Sequence, residues 1–162
     1  MTACPNDGRR PFTREELEAA GNDPLLGATI GERYTLTGRL GAGGMGTVYR
    51  AEQAPLGREV ALKVLRKELG RDAETVARFT REAKLLSQLR HPNTVAILDF
   101  GQSDDALLFL AMELLEGEML SVRLRRHGAL PIPEALRIAS GVLRSLDEAH
   151  ARGIVHRRSE EH

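Results

Sequence analysis

Gly41, Gly43, Gly46 and Val48 stand in G-x-G-x-x-G-x-V spacing, with Ala42, Gly44, Met45 and Thr47 between them. Residues without side chains let a backbone approach a phosphate closely. Further on, Val60-Ala61-Leu62-Lys63 has the alternation of a strand, and a period of two sets small Ala61 and cationic Lys63 on one face. Small beside charged suits a base packed above and phosphates beyond. A lysine turned inward needs an anionic partner, because desolvating an ammonium is costly. Together these residues could hold a nucleotide.

Two folds use glycines in this way. In a dinucleotide-binding fold they open a helix, and an acidic residue follows about 20 positions on. Here the β-formers Thr47, Val48 and Tyr49 follow directly, which favours a hairpin. A glycine-rich hairpin turn with no ligand is the plainer reading of the loop by itself.

The elements that must position these residues follow from periodicity. Residues 1–31 are rich in Pro, Gly, Asn, Asp and Glu and read as a flexible lead-in, with one short helical possibility at Thr13–Ala20. Tyr34, Leu36 and Leu40 alternate before the glycines, Thr47–Tyr49 follow them, and Glu59–Leu65 forms a third strand after the turn Pro55-Leu56-Gly57. Val76, Phe79, Ala83, Leu86 and Leu89 recur at helical spacing and predict an amphipathic helix over about Asp72–Leu89, ended by His91-Pro92-Asn93. Two more strands are expected at Val95–Phe100 and Leu107–Leu114. A short helix at about Leu120–His127 stops at Gly128. A longer one starts with Pro133 and Glu134 in its first turn and ends before Gly153, burying Ala135, Ile138, Val142, Leu146 and Ala149.

Leu40–Glu52, reading LGAGGMGTVYRAE, together with Val60–Lys63, Glu82 in Phe79-Thr80-Arg81-Glu82, and His91-Pro92-Asn93, resembles a bacterial eukaryotic-like serine/threonine protein kinase. The likeness runs from Tyr34 to Arg157. It implies an α+β fold, with a kinase-like N-lobe and hinge over 34–115 made of a five-stranded antiparallel sheet and one helix. The first helices of an incomplete helical C-lobe then follow over 116–162. It implies ATP as ligand, with magnesium expected for the family, and it makes Glu82 the partner of Lys63. A solvated helix surface is the competing reading of Glu82. Met112 becomes the gatekeeper, with the Glu113 carbonyl and the Leu115 amide at the adenine edge, and Leu40, Val48 and Ala61 as apolar walls.

The likeness fails at its end. His156-Arg157 resembles the start of the His-Arg-Asp catalytic loop, but Arg158 stands where the Asp belongs. A general base there is worth about a hundred- to ten-thousand-fold in rate, and a guanidinium cannot accept a proton at neutral pH. No Asn follows Asn93 to serve as metal ligand, and the activation segment is not in the sequence. Asp99-Phe100-Gly101 spells the family's metal-binding tripeptide but precedes the hinge, so it reads as the end of a strand, with Phe100 in the core and Gly101 in a turn. His156, His162, Glu160 and Glu161 read as solvated charge rather than a metal site.

Composition adds limits. Lys plus Arg number 23 and Asp plus Glu number 23, so no net field favours nucleic acid or an anionic membrane. No stretch approaches the ~20 apolar residues of a membrane span, and no apolar segment follows Arg9 and Arg10 to make a signal peptide. The lone Cys4 fits a reducing cytoplasm. The chain is therefore expected to be the ATP-binding portion of such a kinase, inactive in phosphoryl transfer. A pseudokinase-like module that binds nucleotide or a partner, or a non-functional gene fragment, is the alternative. The long helix's stripe is expected to be partly exposed, favouring self-association or a partner chain.

Overall fold

The computed structural model describes residues 23–154. The helical possibility at Thr13–Ala20 and the residues around Arg158 lie outside that range. A six-stranded antiparallel sheet has the order β1-β2-β3-β4-β6-β5. Its strands are β1 (Thr29–Ile30), β2 (Tyr34–Gly43), β3 (Gly46–Gln53), β4 (Arg58–Leu65), β5 (Ile97–Gln102) and β6 (Leu108–Glu113). A 3-10 turn, Lys67–Arg71, leads into helix α1 (Ala73–Leu86), and α2 (Leu120–His127) and α3 (Ile132–Ala151) follow β6. No helix of the described residues is long and apolar enough to cross a membrane.

One face of the sheet makes the core. Tyr34, Leu36, Ala51, Val60, Leu62 and Ala111 have no or almost no exposed surface, and Tyr49, Val64 and Phe109 are nearly as buried. Register explains the set: Tyr49 pairs with Leu62, Leu62 with Ala111, and Val64 with Phe109, so alternate residues of three strands meet on one side. Leu25, Leu26 and Ile30 pack against this cluster. The ordered sheet thus begins before Tyr34, inside the stretch that composition alone reads as a lead-in. Asp23 anchors that segment by accepting a 2.8 Å hydrogen bond from the Tyr49 hydroxyl.

Burial and this bond to Asp23 push the Tyr49 phenol up to about 12. Tyr34 is pushed up to about 12 as well, by burial first and then by the 2.7 Å bond it donates to Asp99. Arg33 holds the same Asp99 oxygen at 3.1 Å.

Helix α1 is shorter than its periodicity predicts. Asp72 is its N-cap, accepting the Thr75 N–H at 2.9 Å, and the helix stops at Leu86, where Ser87 caps it and donates its hydroxyl to the Lys84 carbonyl. Ala83 is buried and Val76 and Phe79 half-buried, while Leu86 is more than a third exposed.

Helix α3 hangs on the loop before β5. Gly141, its one buried residue, lies so close to Asn93 that a Cβ would sit 3.3 Å from that side chain. Glu148 accepts the Arg90 N–H at 3.2 Å, and Thr94 and Ser145 share a hydroxyl hydrogen bond. Of the predicted stripe, Ile138, Leu146 and Ala149 are half-buried, but Ala135 is exposed and Val142 is 53% exposed. Gly141, Ser145 and Glu148 make the close contacts to residues 90–94, and the apolar stripe is only partly covered.

Candidate functional site

The glycine run forms a hairpin, with Gly43 paired to Gly46 and Gly44-Met45 at its tip. The glycines are not equivalent. At Gly46 a Cβ would collide with the Val64 carbonyl oxygen and lie 2.8 Å from the Leu65 Cα, so β4 itself requires a glycine there. At Gly41, Gly43 and Gly44 a Cβ would meet nothing within 4 Å. Packing among the described residues does not call for them, and glycine in a strand costs about 0.5–1 kcal/mol relative to alanine. These three residues leave bare backbone facing open space.

Register brings the other candidates to the hairpin. Gly41 pairs with Val48, Val48 with Lys63, Lys63 with Leu110, and Leu110 with Phe100, so one row crosses five strands. Ala61 pairs with Met112 in the neighbouring row. With strands ~4.8 Å apart, Lys63 lies two strands from Gly41, within reach of the space beneath the hairpin. Its side chain is half-buried, on the face opposite the core. Leu40 is 47% exposed although Leu36 is fully buried, because β2 slips register between Leu36 and Gly38 and again between Arg39 and Gly41.

Glu82 is not brought to Lys63. It is exposed on α1, and no ion pair joins the two among the described residues. Sequence spacing places it on the right helix, but not the helix close enough to the strand.

At the end of β6, Met112 and Glu113 are half-buried and Leu115 is 63% exposed. Glu113 does more than present a carbonyl. Its N–H donates to the Ala96 carbonyl at 3.0 Å and its carboxylate accepts the Ala96 N–H at 2.7 Å, which ties the end of β6 to the chain entering β5. No sequence signal singles out that side-chain role. Asp99-Phe100-Gly101 lies inside β5, as a strand. Gly101 is not in a turn: the Phe109 ring sits where its Cβ would point, 3.0 Å away. Asp99 is taken up by Tyr34 and Arg33.

The arrangement is a pleated surface with an apolar patch (Val48, Ala61, Met112), one inward lysine, and a hairpin of bare backbone above it. Chemically it can hold a flat ring against the patch and an anionic chain under the hairpin.

Comparison with known proteins agrees in extent. Residues 34–158 match the protein kinase domain model. The chain is 47% identical over 141 residues to the serine/threonine-protein kinase pkn3 of Myxococcus xanthus, a match covering 87% of this chain and 26% of that protein. It is 42% identical over 133 residues to PrkC of Bacillus subtilis, covering 82% and 20%. The solved kinase domain of Mycobacterium tuberculosis PknI superposes with a TM-score of 0.68 at 35% identity, covering 81% of this chain and 54% of that one. The chain therefore spans about a quarter or less of these curated relatives and about half of the solved domain.

Proposed function

The chain belongs to the protein kinase domain family, and from that premise we propose that the space between its glycine hairpin and Lys63 binds ATP. The observation that carries this reading is the emptiness around Gly41, Gly43 and Gly44: side chains are missing where packing does not forbid them. Bound phosphates supply the missing reason, because their oxygens accept hydrogen bonds from backbone N–H groups only at close approach.

In this reading the adenine packs among Leu40, Val48 and Ala61 with Met112 behind it, and its edge bonds to the Glu113 carbonyl and the Leu115 amide. Lys63 neutralises phosphate charge. Ala42 and Met45 contribute backbone at the hairpin tip. Glu82 joins only if α1 moves toward β4, where the pair would fix the ammonium. Magnesium, expected for the family, would be supplied with the nucleotide and would offset phosphate charge.

Transfer of phosphate from ATP to protein serine or threonine is the activity proposed for the family pattern. Arg158, at the place of the proton-accepting Asp, leads us to assign this chain nucleotide binding without transfer. The lone Cys4 supports a cytoplasmic setting. A second reading, self-association through α3, is favoured by the exposure of Ile132, Leu136 and Leu143 at 75%, 65% and 66%.

Calorimetric titration with ATP, with and without magnesium, tests the first reading. Saturable binding that weakens at least about tenfold in Lys63→Ala, on the order of 1.4 kcal/mol, is expected. A folded chain that binds no ATP, or binds it equally well without Lys63, contradicts it.

A further inference from the structure

A concavity among the described residues lies apart from the nucleotide cleft. It lies behind the glycine hairpin, on the opposite face of the sheet from Lys63, and its volume is about 320 Å³. That is at the lower end of the range for small-ligand pockets, ~300–1,000 Å³. Its floor is apolar and buried: Tyr49, Val64 and Leu107 are 2%, 3% and 9% exposed. Leu25 and Thr47 form walls. Only Gly46 belongs both to this pocket and to the nucleotide set.

The rim is charged and unbalanced. Arg66 and Lys67 stand on it against one carboxylate, Asp105. Both cations are exposed, and neither makes an ion pair among the described residues. The Arg66 backbone is held by its N–H, which donates to the Met45 carbonyl at 3.3 Å, and among the described residues its guanidinium makes no hydrogen bond. A planar guanidinium beside an ammonium matches a carboxylate. Asp105 disfavours a second acidic group on the same ligand. The floor, in turn, favours an apolar body over a hydrated one.

We infer that this pocket behind the glycine hairpin is a binding site for a small amphipathic monocarboxylate, an apolar chain or ring carrying one acid group. The apolar body lies on Tyr49, Val64 and Leu107, and the carboxylate meets Arg66 and Lys67. The site is independent of the nucleotide reading, so its test needs no ATP.

The probe is octanoate, titrated into the full 162-residue chain and followed by amide NMR, with 1-octanol as the uncharged control. Saturable shifts at Thr47, Tyr49, Val64 and Leu107 are expected. Losing a charge-assisted contact should weaken binding roughly tenfold, both for octanol and for octanoate on Lys67→Glu. Thr47→Phe, which fills the pocket, should abolish binding, and Arg125→Glu on the exposed side of α2 should leave it unchanged. Shifts that do not saturate, equal binding of octanoate and octanol, or an unchanged affinity in Lys67→Glu overturns the assignment. Lys67 is a surface residue, so that variant decides the matter even if Thr47→Phe fails to fold.

Discussion

The glycine hairpin divides into a residue required by the fold and residues that are not, and alanine substitution separates them. In Gly46→Ala the new methyl must displace the Val64 carbonyl and crowd the Leu65 Cα at 2.8 Å, both backbone atoms of a strand paired on two sides. Overpacking of this kind costs about 1–3 kcal/mol, and the Gly46 φ of +157° adds strain for a residue with a Cβ. A loss of about 3 kcal/mol is therefore expected. With a urea m-value of about 1–3 kcal/mol/M, the unfolding midpoint should fall by roughly 1.5 M. Gly41→Ala and Gly43→Ala meet open space, and they relieve the entropy cost of glycine, so their midpoints should hold or rise by up to about 0.5 M. Calorimetry on the same samples should show ATP affinity reduced at least about tenfold in both, because the methyl enters the space of the phosphates. Equal destabilisation by Gly43→Ala and Gly46→Ala would refute the division. A stable Gly43→Ala protein that binds ATP as tightly as the parent would place the phosphates elsewhere.

Stability should also depend on alkaline pH through two phenols. Tyr34 and Tyr49 are pushed up to about 12 in the fold from 10.0, so the stabilisation they provide is complete below pH 10 and is lost as pH rises through 12. Each contributes on the order of 2–3 kcal/mol over that window, and denaturation of Tyr34→Phe and Tyr49→Phe should show a shallower fall between pH 10 and 12; an unchanged slope in both would remove this cause. Because Glu82 stands exposed and apart from Lys63, Glu82→Gln should leave the unfolding free energy within about 0.5 kcal/mol of the parent, and a larger loss would mean the pair forms in solution. Sedimentation should show concentration-dependent self-association that is abolished by Leu143→Glu, and a compact monomer at high concentration contradicts the role given to the α3 row.

What the sequence disclosed follows from the range of the interactions involved. Strands β2 to β6 and the three helices were legible because alternation and helical spacing are local, and Gly128 marks its helix end by chain geometry alone. The β1 strand was not: two residues, Thr29 and Ile30, carry no period, and their place depends on Tyr34 and Thr35 across a turn. Alternation sets Leu40 on the Leu36 face because bulges leave no mark in a hydropathy pattern. The α3 stripe failed in part because Gly141, Ser145 and Glu148, which dock on residues 90–94, are small or polar and look like the wet side of a helix. Of the candidate site, the glycine loop and the shared face of Ala61 and Lys63 are legible from spacing, whereas the register that sets Gly41, Val48 and Lys63 in one row is not. The separation of Glu82 from Lys63 is not legible either, since it depends on how α1 packs, and neither is the clamp of Glu113 on Ala96.

The measurement closest to the central claim is an amide NMR titration of the chain with ATP. The account predicts saturable shifts at Gly41, Gly43, Gly44, Lys63 and Glu113 to Leu115, with Leu107 on the opposite face and Leu136 on α3 unmoved. Shifts confined to α3 or to the pocket behind the hairpin, with the Gly41–Lys63 row silent, would contradict it.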